Sequence, residues 1–430
     1  MDAVHRFRTG PATIGVLGLG YVGLPIAVSL AEAGLRVIGV DPDPDRAEAV
    51  EAGRSYLSDI PHQRLASLRN QENLRATTSY RELADAQAVL ICVPTPLRDG
   101  TPNLSAIEDA GRRLAEVLTP GTLVVLESTT YPGTTEEVLR PLLEESGLVA
   151  GRDFFLAYSP ERIDPGNPQF GFQDIPKVVA GIDEASTRAA EALYSRVVPK
   201  VVTVSSPREA EMAKLIENVF RHVNIALVNE LAVYARDLGV DIWEAIDAAA
   251  TKPFGFLPFW PSPGWGGHCI PLDPSYLSWR VRKDQAHEIR FVELAHTVNA
   301  EMPRYVVERV AELLNDHGKP IRGSQILGIG MAYKAGTEDT RGSPGLHILG
   351  RLAKRGATVS YHDPLVPEAH VDGDSLRSVA LGREVLRDAD LVVVFIAQDR
   401  LDWDRIAGQA SLVLDCCNAF GKGSENIVRL

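Results

Sequence analysis

The sequence predicts an α/β protein: two doubly wound, parallel-sheet domains joined by a central helical segment with one long helix. Three observations predict it. Short aliphatic runs alternate with helical patterns over the first 200 residues. From Pro207 the texture changes to long helical periodicity, and at Gln325 the strand–helix alternation resumes.

The strand candidates of the first part are 13–17, 37–40, 88–93, 123–126, 154–157 and 177–180. Each is short, β-branched or aliphatic, and followed by turn or cap chemistry. They are apolar on both faces, the pattern of buried parallel strands. Helices over 25–33 and 105–118 fall between them, which completes a doubly wound sheet. In the middle part, 209–238 is one helical pattern with Met212, Leu215, Val219, Val223, Ala226, Leu227 and Leu231 at helical spacing. A shorter helix covers 242–250. The stretch 251–274 is rich in Gly, Pro and aromatic residues and has no period. So long a loop is either functional or disordered, and Phe254, Phe256, Phe259, Trp260 and Trp265 favour an ordered, functional one. Helices resume around 289–299 and 303–315. In the last part, 326–329, 358–361, 391–396 and 411–414 read as strands and 344–355 as a helix. The expected domains are therefore 1–206, 207–317 and 318–430.

Composition narrows the function. With 430 residues, 45% hydrophobic and 23% charged, the chain matches a soluble globular protein with a large core. Disorder is excluded on this composition. No apolar run reaches about 18 residues, so no spanning helix is expected. No apolar stretch follows His5, Arg6 and Arg8, so no signal peptide is expected either. Lys and Arg number 44 against 57 Asp and Glu, a net charge of −13. That argues against nucleic acid held by a basic field; a phosphorylated ligand needs local donors. Cys92, Cys269, Cys416 and Cys417 fit neither a disulfide framework nor a zinc site, which points to a reducing cytoplasm.

The motif GLGYVGLP at 18–25 follows the first strand and opens a helix. Gly18 permits the tight turn, Gly20 lets the backbone approach a pyrophosphate, and Gly23 allows close helix–strand packing. The helix N-terminus offers N–H groups to the anion. Asp41 ends the next strand, where a carboxylate accepts from ribose hydroxyls and repels a 2′-phosphate, so NAD is expected rather than NADP. Glycines alone would fit an empty turn; strand, glycines, helix, strand and Asp in register define a Rossmann-like dinucleotide site.

Cys269 lies in GGHCIPLD at 266–273. The glycine pair lets substrate approach the backbone, and Asp273 follows by one helical turn. A thiolate there would attack a carbonyl carbon. A free cysteine is more often a small core residue, but the glycines and the unusual loop favour the nucleophile. Cys92 reads as core, and Cys416 and Cys417 carry no role. Lys214 and Asn218 are four apart and share a helix face with Met212, Leu215 and Val219. Lys214 either serves chemistry or snorkels to the surface. The segments STTYPG at 128–133 and SPER at 159–162 follow strands, where open α/β sheets hold ligands; capping and turn formation explain them equally. His268 has no partner at zinc spacing, so no metal is expected. The aromatics of 254–265 stack a base or fill the loop.

Taken together, these residues resemble the UDP-glucose/GDP-mannose dehydrogenase family over about residues 12–420. The resemblance is carried by GLGYVGLP at 18–25, CVPTP at 92–96, ESTTYPGT at 127–134, SPER at 159–162, AEMAKLIEN at 210–218, GGHCIPLDP at 266–274 and AYKAGTEDTRGSP at 332–344. It implies oxidation of C6 of a nucleotide-bound sugar from alcohol to acid with two NAD⁺. By motif, Cys269 is the nucleophile, and Lys214 and Asp273 handle protons, oxyanion and hydrolytic water. Asn218 orients the substrate, with Thr130 and Glu161 near sugar and water. Gly18, Gly20, Tyr21, Val22, Gly23, Asp41, Thr95 and Thr129 hold NAD. Gly264, Gly266 and Gly267 present N–H groups to the nucleotide diphosphate. Arg162, Lys252, Lys334 and Arg341 complete the substrate site, the last two from the C-terminal, UDP-sugar-binding domain.

The stretches 248–256 and 268–279 are similar to the branch acting on UDP-N-acetylhexosamines, which ranks UDP-N-acetylglucosamine first, then UDP-N-acetylmannosamine, then UDP-glucose. Ser262 and Trp265 stand where the family pattern has glycine and a smaller aliphatic residue, and Gly336 and Gly342 where it has an acidic or amide residue and a glutamate; Trp265 resizes the expected pocket. A homodimer through the helical middle is expected from its wide apolar faces. Two other readings compete: a single-oxidation 3-hydroxyacid or 6-phosphogluconate-type dehydrogenase, and a nucleotide-sugar-binding protein without catalysis.

Overall fold

The computed structural model describes residues 3–57, 60–98, 100–164, 169–267, 269–371 and 373–430, with main chain only for Ala3 and Cys269. The chain divides into two compact units, Met1–Glu217 with Trp279–Gln285, and Asn218–Ser278 with Ala286–Leu430.

The first unit holds an eight-stranded sheet in the order Val201–Thr203, Lys177–Gly181, Phe155–Tyr158, Leu123–Leu126, Ala88–Ile91, Thr13–Leu17, Arg36–Val40, Leu74–Thr77. From Phe155–Tyr158 to Leu74–Thr77 every pair is parallel. The expectation of parallel strands fails at Lys177–Gly181, which runs antiparallel to Phe155–Tyr158 with Tyr158 opposite Ala180. Parallel neighbours need a crossover, usually a helix. Among the described residues between these two strands there is only the short turn Phe172–Asp174. Leu74–Thr77 and Val201–Thr203, not expected from sequence, are edge strands whose polar residues blur the apolar pattern.

Helix Gly23–Glu32 buries Leu24, Ile26, Ala27, Val28, Leu30 and Ala31 against this sheet. Helix Glu184–Tyr194 is started by Asp183, whose carboxylate accepts the Ser186 N–H at 2.7 Å. It buries Ala189, Ala190, Ala192 and Leu193 in the same core. The long helix Pro207–Asp237 begins in this unit and continues in the second. Near its start, fully buried Glu211 accepts the Gly133 N–H at 2.5 Å, the Thr135 N–H at 2.9 Å and the Thr135 hydroxyl at 2.7 Å. Those bonds tie the 131–135 loop to the helix.

The second unit holds a five-stranded, wholly parallel sheet in the order Thr358–His362, Gln325–Ile329, Leu391–Val394, Val413–Asp415, Ile427–Arg429. Helix Pro344–Lys354 starts at Ser343, which caps the Leu346 N–H. The two helices expected around Pro303 are one, Arg290–Asp316. An internal proline costs about 3 kcal/mol. Val306, Val307, Val310, Leu313 and Leu314 beyond it are buried in the core, and at about 1.5–3 kcal/mol each they outweigh that cost. The loop expected over 251–274 is shorter, because Cys269–Gln285 is helical. Pro271 falls in its first turn, where a missing N–H loses no bond.

Burial pushes the Glu211 carboxyl up to about 7, against the hydrogen bonds from Thr135 and Gly133 that pull it down. A folded pKa above the unfolded value means the folded state holds the extra proton. Stability from this group is therefore full below about pH 4.5 and lost as pH rises through about 7. Glu211→Gln should lower the melting temperature throughout and flatten its fall across that window; an unchanged pH slope in the melts would refute the assignment.

Candidate functional site

The dinucleotide motif forms a cradle whose glycines are there for steric reasons. Gly18 has φ +88°, and a Cβ on it would sit 2.7 Å from the Cys92 carbonyl oxygen. A Cβ on Gly23 would sit 1.8 Å from the Gly18 carbonyl oxygen. Around Gly20 nothing lies within 4 Å of such a Cβ, which leaves room for a phosphate against the backbone. Tyr21 is exposed and Val22 half-buried at the helix entry. Asp41, 2% exposed, follows strand Arg36–Val40. Its Oδ2 accepts the Leu19 N–H at 2.7 Å and its Oδ1 the Asp43 N–H at 3.0 Å, with Arg46 at 3.6 Å. Each carboxylate oxygen has two lone pairs, so Asp41 both shapes the glycine loop and keeps capacity for a ribose hydroxyl. The residues fit NAD.

Two strands along, Thr95 donates to the Thr129 carbonyl at 2.9 Å and Ser128 to the Val93 carbonyl at 2.7 Å. These bonds lock together the segments after Ala88–Ile91 and Leu123–Leu126, at the carboxyl edge where such sheets bind ligands. Cys92 lies just past its strand rather than inside it. Thr130 is fully buried, and its hydroxyl has no hydrogen-bond partner among the described residues. Glu161 is 8% exposed; its Oε1 accepts the N–H of Arg162 at 2.6 Å and that of Ile163. Arg162 pairs through two nitrogens with Glu217, 2.6 and 3.2 Å, and donates to the Pro176 carbonyl at 2.7 Å. Its guanidinium thus holds the 159–162 loop to the long helix. Lys214, on that helix, is 8% exposed.

In the second unit, Asn218 Nδ2 donates to Asp273 Oδ2 at 2.5 Å, and both residues are buried. Asp273 stands four residues into helix Cys269–Gln285. The Cys269 side chain and His268 lie outside the described residues. The loop before them packs on the third-segment motif. The Gly267 N–H donates to the Arg341 carbonyl at 2.9 Å, and a Cβ on Gly266 or Gly267 would meet Tyr333 at 2.7 Å. Gly264 has φ +129°. Lys334 is half-buried, and Arg341 is exposed and doubly bonded to Asp339. Lys252 is exposed, 5.0 Å from the Phe254 ring centroid; none of the described contacts joins it to Gly264, Gly266 or Gly267. Trp265 packs against His222 and His296, ring centroids 5.3 and 5.2 Å away, and the two imidazoles lie 6.5 Å from each other.

Burial pushes the Cys92, Cys416 and Cys417 thiols well up, so none of these three is an activated thiolate. Among the described residues, no group of three or more His, Cys, Asp or Glu could hold a metal, and no helix is long and apolar enough to cross a membrane.

A glycine cradle with a terminal Asp on one sheet, and a second parallel sheet carrying a lysine loop, define a dinucleotide-dependent dehydrogenase of two α/β units. The model of the UDP-glucose/GDP-mannose dehydrogenase family matches in three parts: its NAD binding domain over residues 12–198, its central domain over 208–301 and its UDP binding domain over 327–422. The chain belongs to this family; it is an NAD-dependent nucleotide-sugar dehydrogenase. A UDP-N-acetyl-D-mannosamine dehydrogenase of Pyrococcus horikoshii is 36% identical, over 87% of this chain and 88% of that one. A UDP-N-acetyl-D-glucosamine 6-dehydrogenase of Pseudomonas aeruginosa is 34% identical, over 82% and 83%. The solved structure of a UDP-D-ManNAc dehydrogenase from Pyrococcus horikoshii superposes with a TM-score of 0.86 at 32% identity, over 97% and 98%.

Sequence reasoning missed several polar groups. Glu127, Lys177 and Tyr194 form a buried cluster beside Glu161. Glu127 opens the ESTTYPGT motif, which was a usable signal; Lys177 read only as the start of a strand, and nothing in the sequence singled out Tyr194. Asn229 bonds Asn299 at 2.9 Å and accepts the Ser262 N–H at 2.8 Å, fixing the loop that leads to Gly264. Asp363 Oδ2 accepts the Met331 and Ala332 N–H groups at 2.7 and 3.2 Å, holding the segment that carries Lys334.

The second and third glycines of the cradle should separate folding from binding. Gly20→Ala should melt like the parent yet bind NAD at least about tenfold more weakly, because the methyl fills the space a phosphate needs. Gly23→Ala should lower the melting temperature itself. Calorimetry and NAD titration check both; unimpaired NAD binding by Gly20→Ala would remove the cradle from the cofactor site.

Proposed function

We propose that the chain oxidises C6 of a UDP-N-acetylhexosamine from alcohol to carboxylate in two successive oxidations, with Cys269 holding the half-oxidised sugar. The observation that carries this reading is the meeting of two motifs in the second unit. The glycine loop entering helix Cys269–Gln285 bonds the Arg341 segment, and Asp273 bonds Asn218. N-acetylated sugars are common to the names of the Pyrococcus and Pseudomonas relatives. Motif similarity ranks UDP-N-acetylglucosamine first. The Pyrococcus relative supports UDP-N-acetylmannosamine as the second reading.

NAD⁺, when bound, supplies the hydride acceptor for each oxidation; Gly18, Gly20, Tyr21, Val22, Gly23, Asp41, Thr95 and Thr129 would hold it. Lys214 takes the hydroxyl proton, directly or through water, and then faces the developing oxyanion as a fixed cation. The Cys269 sulfur adds to the C6 aldehyde, so the reactive carbonyl stays bound as a thiohemiacetal. Loss of the second hydride to the bound acceptor, and of the hydroxyl proton to water, leaves a thioester. Asp273 or Glu161 removes a proton from water, whose oxygen attacks that thioester; the C–S bond breaks and the acid and the thiol are released. One water is consumed for each sugar. Asn218 and Thr130 orient the sugar. Gly264, Gly266 and Gly267 with Lys334 and Arg341 hold the nucleotide diphosphate, with Lys252 as a further phosphate partner and Arg162 bracing the 159–162 loop. Residues 1–206, 207–317 and 318–430 serve as the NAD-binding, central and UDP-sugar-binding parts. The enzyme works in the cytoplasm as a homodimer. The dimer is supported by Phe220, Leu227, Leu231 and Tyr234, exposed by 44–60% on the long helix.

With a panel of UDP-sugars and NAD⁺, the N-acetylhexosamines should yield two NADH per sugar and a product with the mass of the acid. Cys269→Ser should cut acid formation by at least about a thousandfold. One NADH per sugar would support the single-oxidation reading, and full acid formation by Cys269→Ser would reject the nucleophile. Light scattering should give twice the chain mass, and Leu231→Asp should reduce it to one chain. A monomeric parent protein would end the dimer proposal.

A further inference from the structure

The chemistry above leaves one buried ionic cluster unused. Lys177 is 3% exposed and Glu127 and Tyr194 are fully buried. The reversed strand explains how they meet. Tyr158 pairs with Ala180 and the Ser159 hydroxyl bonds the Val178 carbonyl at 2.8 Å, so the antiparallel register carries Lys177 to Pro160 and Glu161. An ammonium has three N–H donors, and this one meets three acceptors: Glu127 Oε2 at 2.5 Å, the Pro160 carbonyl at 3.2 Å and Glu161 Oε2 at 3.4 Å. The ring centroids of Tyr194 and Phe172 lie 5.3 and 5.6 Å from it. Glu127 also accepts the Tyr194 hydroxyl. Burial pushes the ammonium down, and the charges of Glu127 and Glu161 raise it by more, so the group stays a cation. Burial pushes Glu127 itself up to about 7, with Lys177 pulling the other way.

With all three donors engaged, Lys177 has none for substrate, so it acts through Glu161. One oxygen of that carboxylate is held by two main-chain N–H groups and the other by the ammonium. The geometry points to Lys177 as a positioning residue that aims the Glu161 carboxylate at the hydrolytic water, with Glu127 and Tyr194 as its anchor. This rests on the reading of Glu161 given above and deepens it. Misplacing a reacting group by about 1 Å costs on the order of a hundredfold in rate.

Steady-state and single-turnover kinetics with NAD⁺ and a UDP-N-acetylhexosamine test this. Lys177→Met should keep the first burst of NADH and the KM for the sugar nucleotide, while kcat for acid formation falls about a hundredfold. Lys177→Arg, which can reach the same acceptors, should recover most of it. The double variant Glu127→Gln with Lys177→Met removes the unpaired buried charge, so it should fold and stay as slow as Lys177→Met. The positioning role is overturned if the double variant regains parental kcat, or if both oxidations fall together. It is also overturned if neither Met variant folds, since Lys177 is then structural only. The unmodified protein is assayed first: a single NADH per sugar refutes the proposed function, whereas two NADH with an active Lys177→Met refutes this inference alone.

Discussion

A cation removed from water must find its counter-charges inside the protein, or it will not be buried at all. Lys177 is that cation, and the carboxyl edge of the first sheet is arranged around it. Glu127 closes the strand Leu123–Leu126, Pro160 and Glu161 follow Phe155–Tyr158, and Tyr194 ends the helix Glu184–Tyr194. Three separate segments reach one ammonium. Removing the lysine alone would leave two carboxylates facing each other in low dielectric, which costs more than the pair contributes.

The same edge carries the glycine cradle, and there the constraint is steric rather than ionic. A side chain on Gly18 would meet the Cys92 carbonyl and one on Gly23 the Gly18 carbonyl, while Gly20 faces open space. Asp41 braces the loop between them through the Leu19 N–H. The second sheet repeats the device: Asp363, after strand Thr358–His362, braces the segment after Gln325–Ile329 through two N–H groups, with Gln398 in contact at 3.3 Å. A carboxylate at the end of one strand thus sets the loop that leaves its neighbour in both units. In the first the loop is glycine-rich and leaves open space beside Gly20; in the second it carries Tyr333 and Lys334.

The loop before helix Cys269–Gln285 shows how local departures are absorbed. Ser262 replaces an expected glycine, and its N–H and hydroxyl are taken by Asn229 and the Gly264 carbonyl. Trp265 is larger than the aliphatic residue expected there, and it forms a three-ring cluster with His222 and His296. Burial lowers the pKa of His222, with neighbouring His296 adding to the effect, so the imidazole packs against the indole as a neutral ring. The extra volume is accommodated by a cluster of rings from the long helix and helix Arg290–Asp316.

The glycine cradle and the alternation of strand and helix were legible because each depends on neighbours in the chain. Period, turn chemistry and a Cβ clash are local matters, and Thr13–Leu17 and Leu123–Leu126 have the bounds that their apolar runs predict. The continuity of Arg290–Asp316 through Pro303 was not legible, because burial far along the helix outweighs a local penalty. Nor was the direction of Lys177–Gly181. An apolar strand looks the same read either way, and only the route of the chain back to the sheet decides which end meets Glu127. That reversal turns a lysine at a strand's start into the counter-charge of two glutamates, because charges remote in sequence interact only where the fold brings them within a few ångströms and away from water.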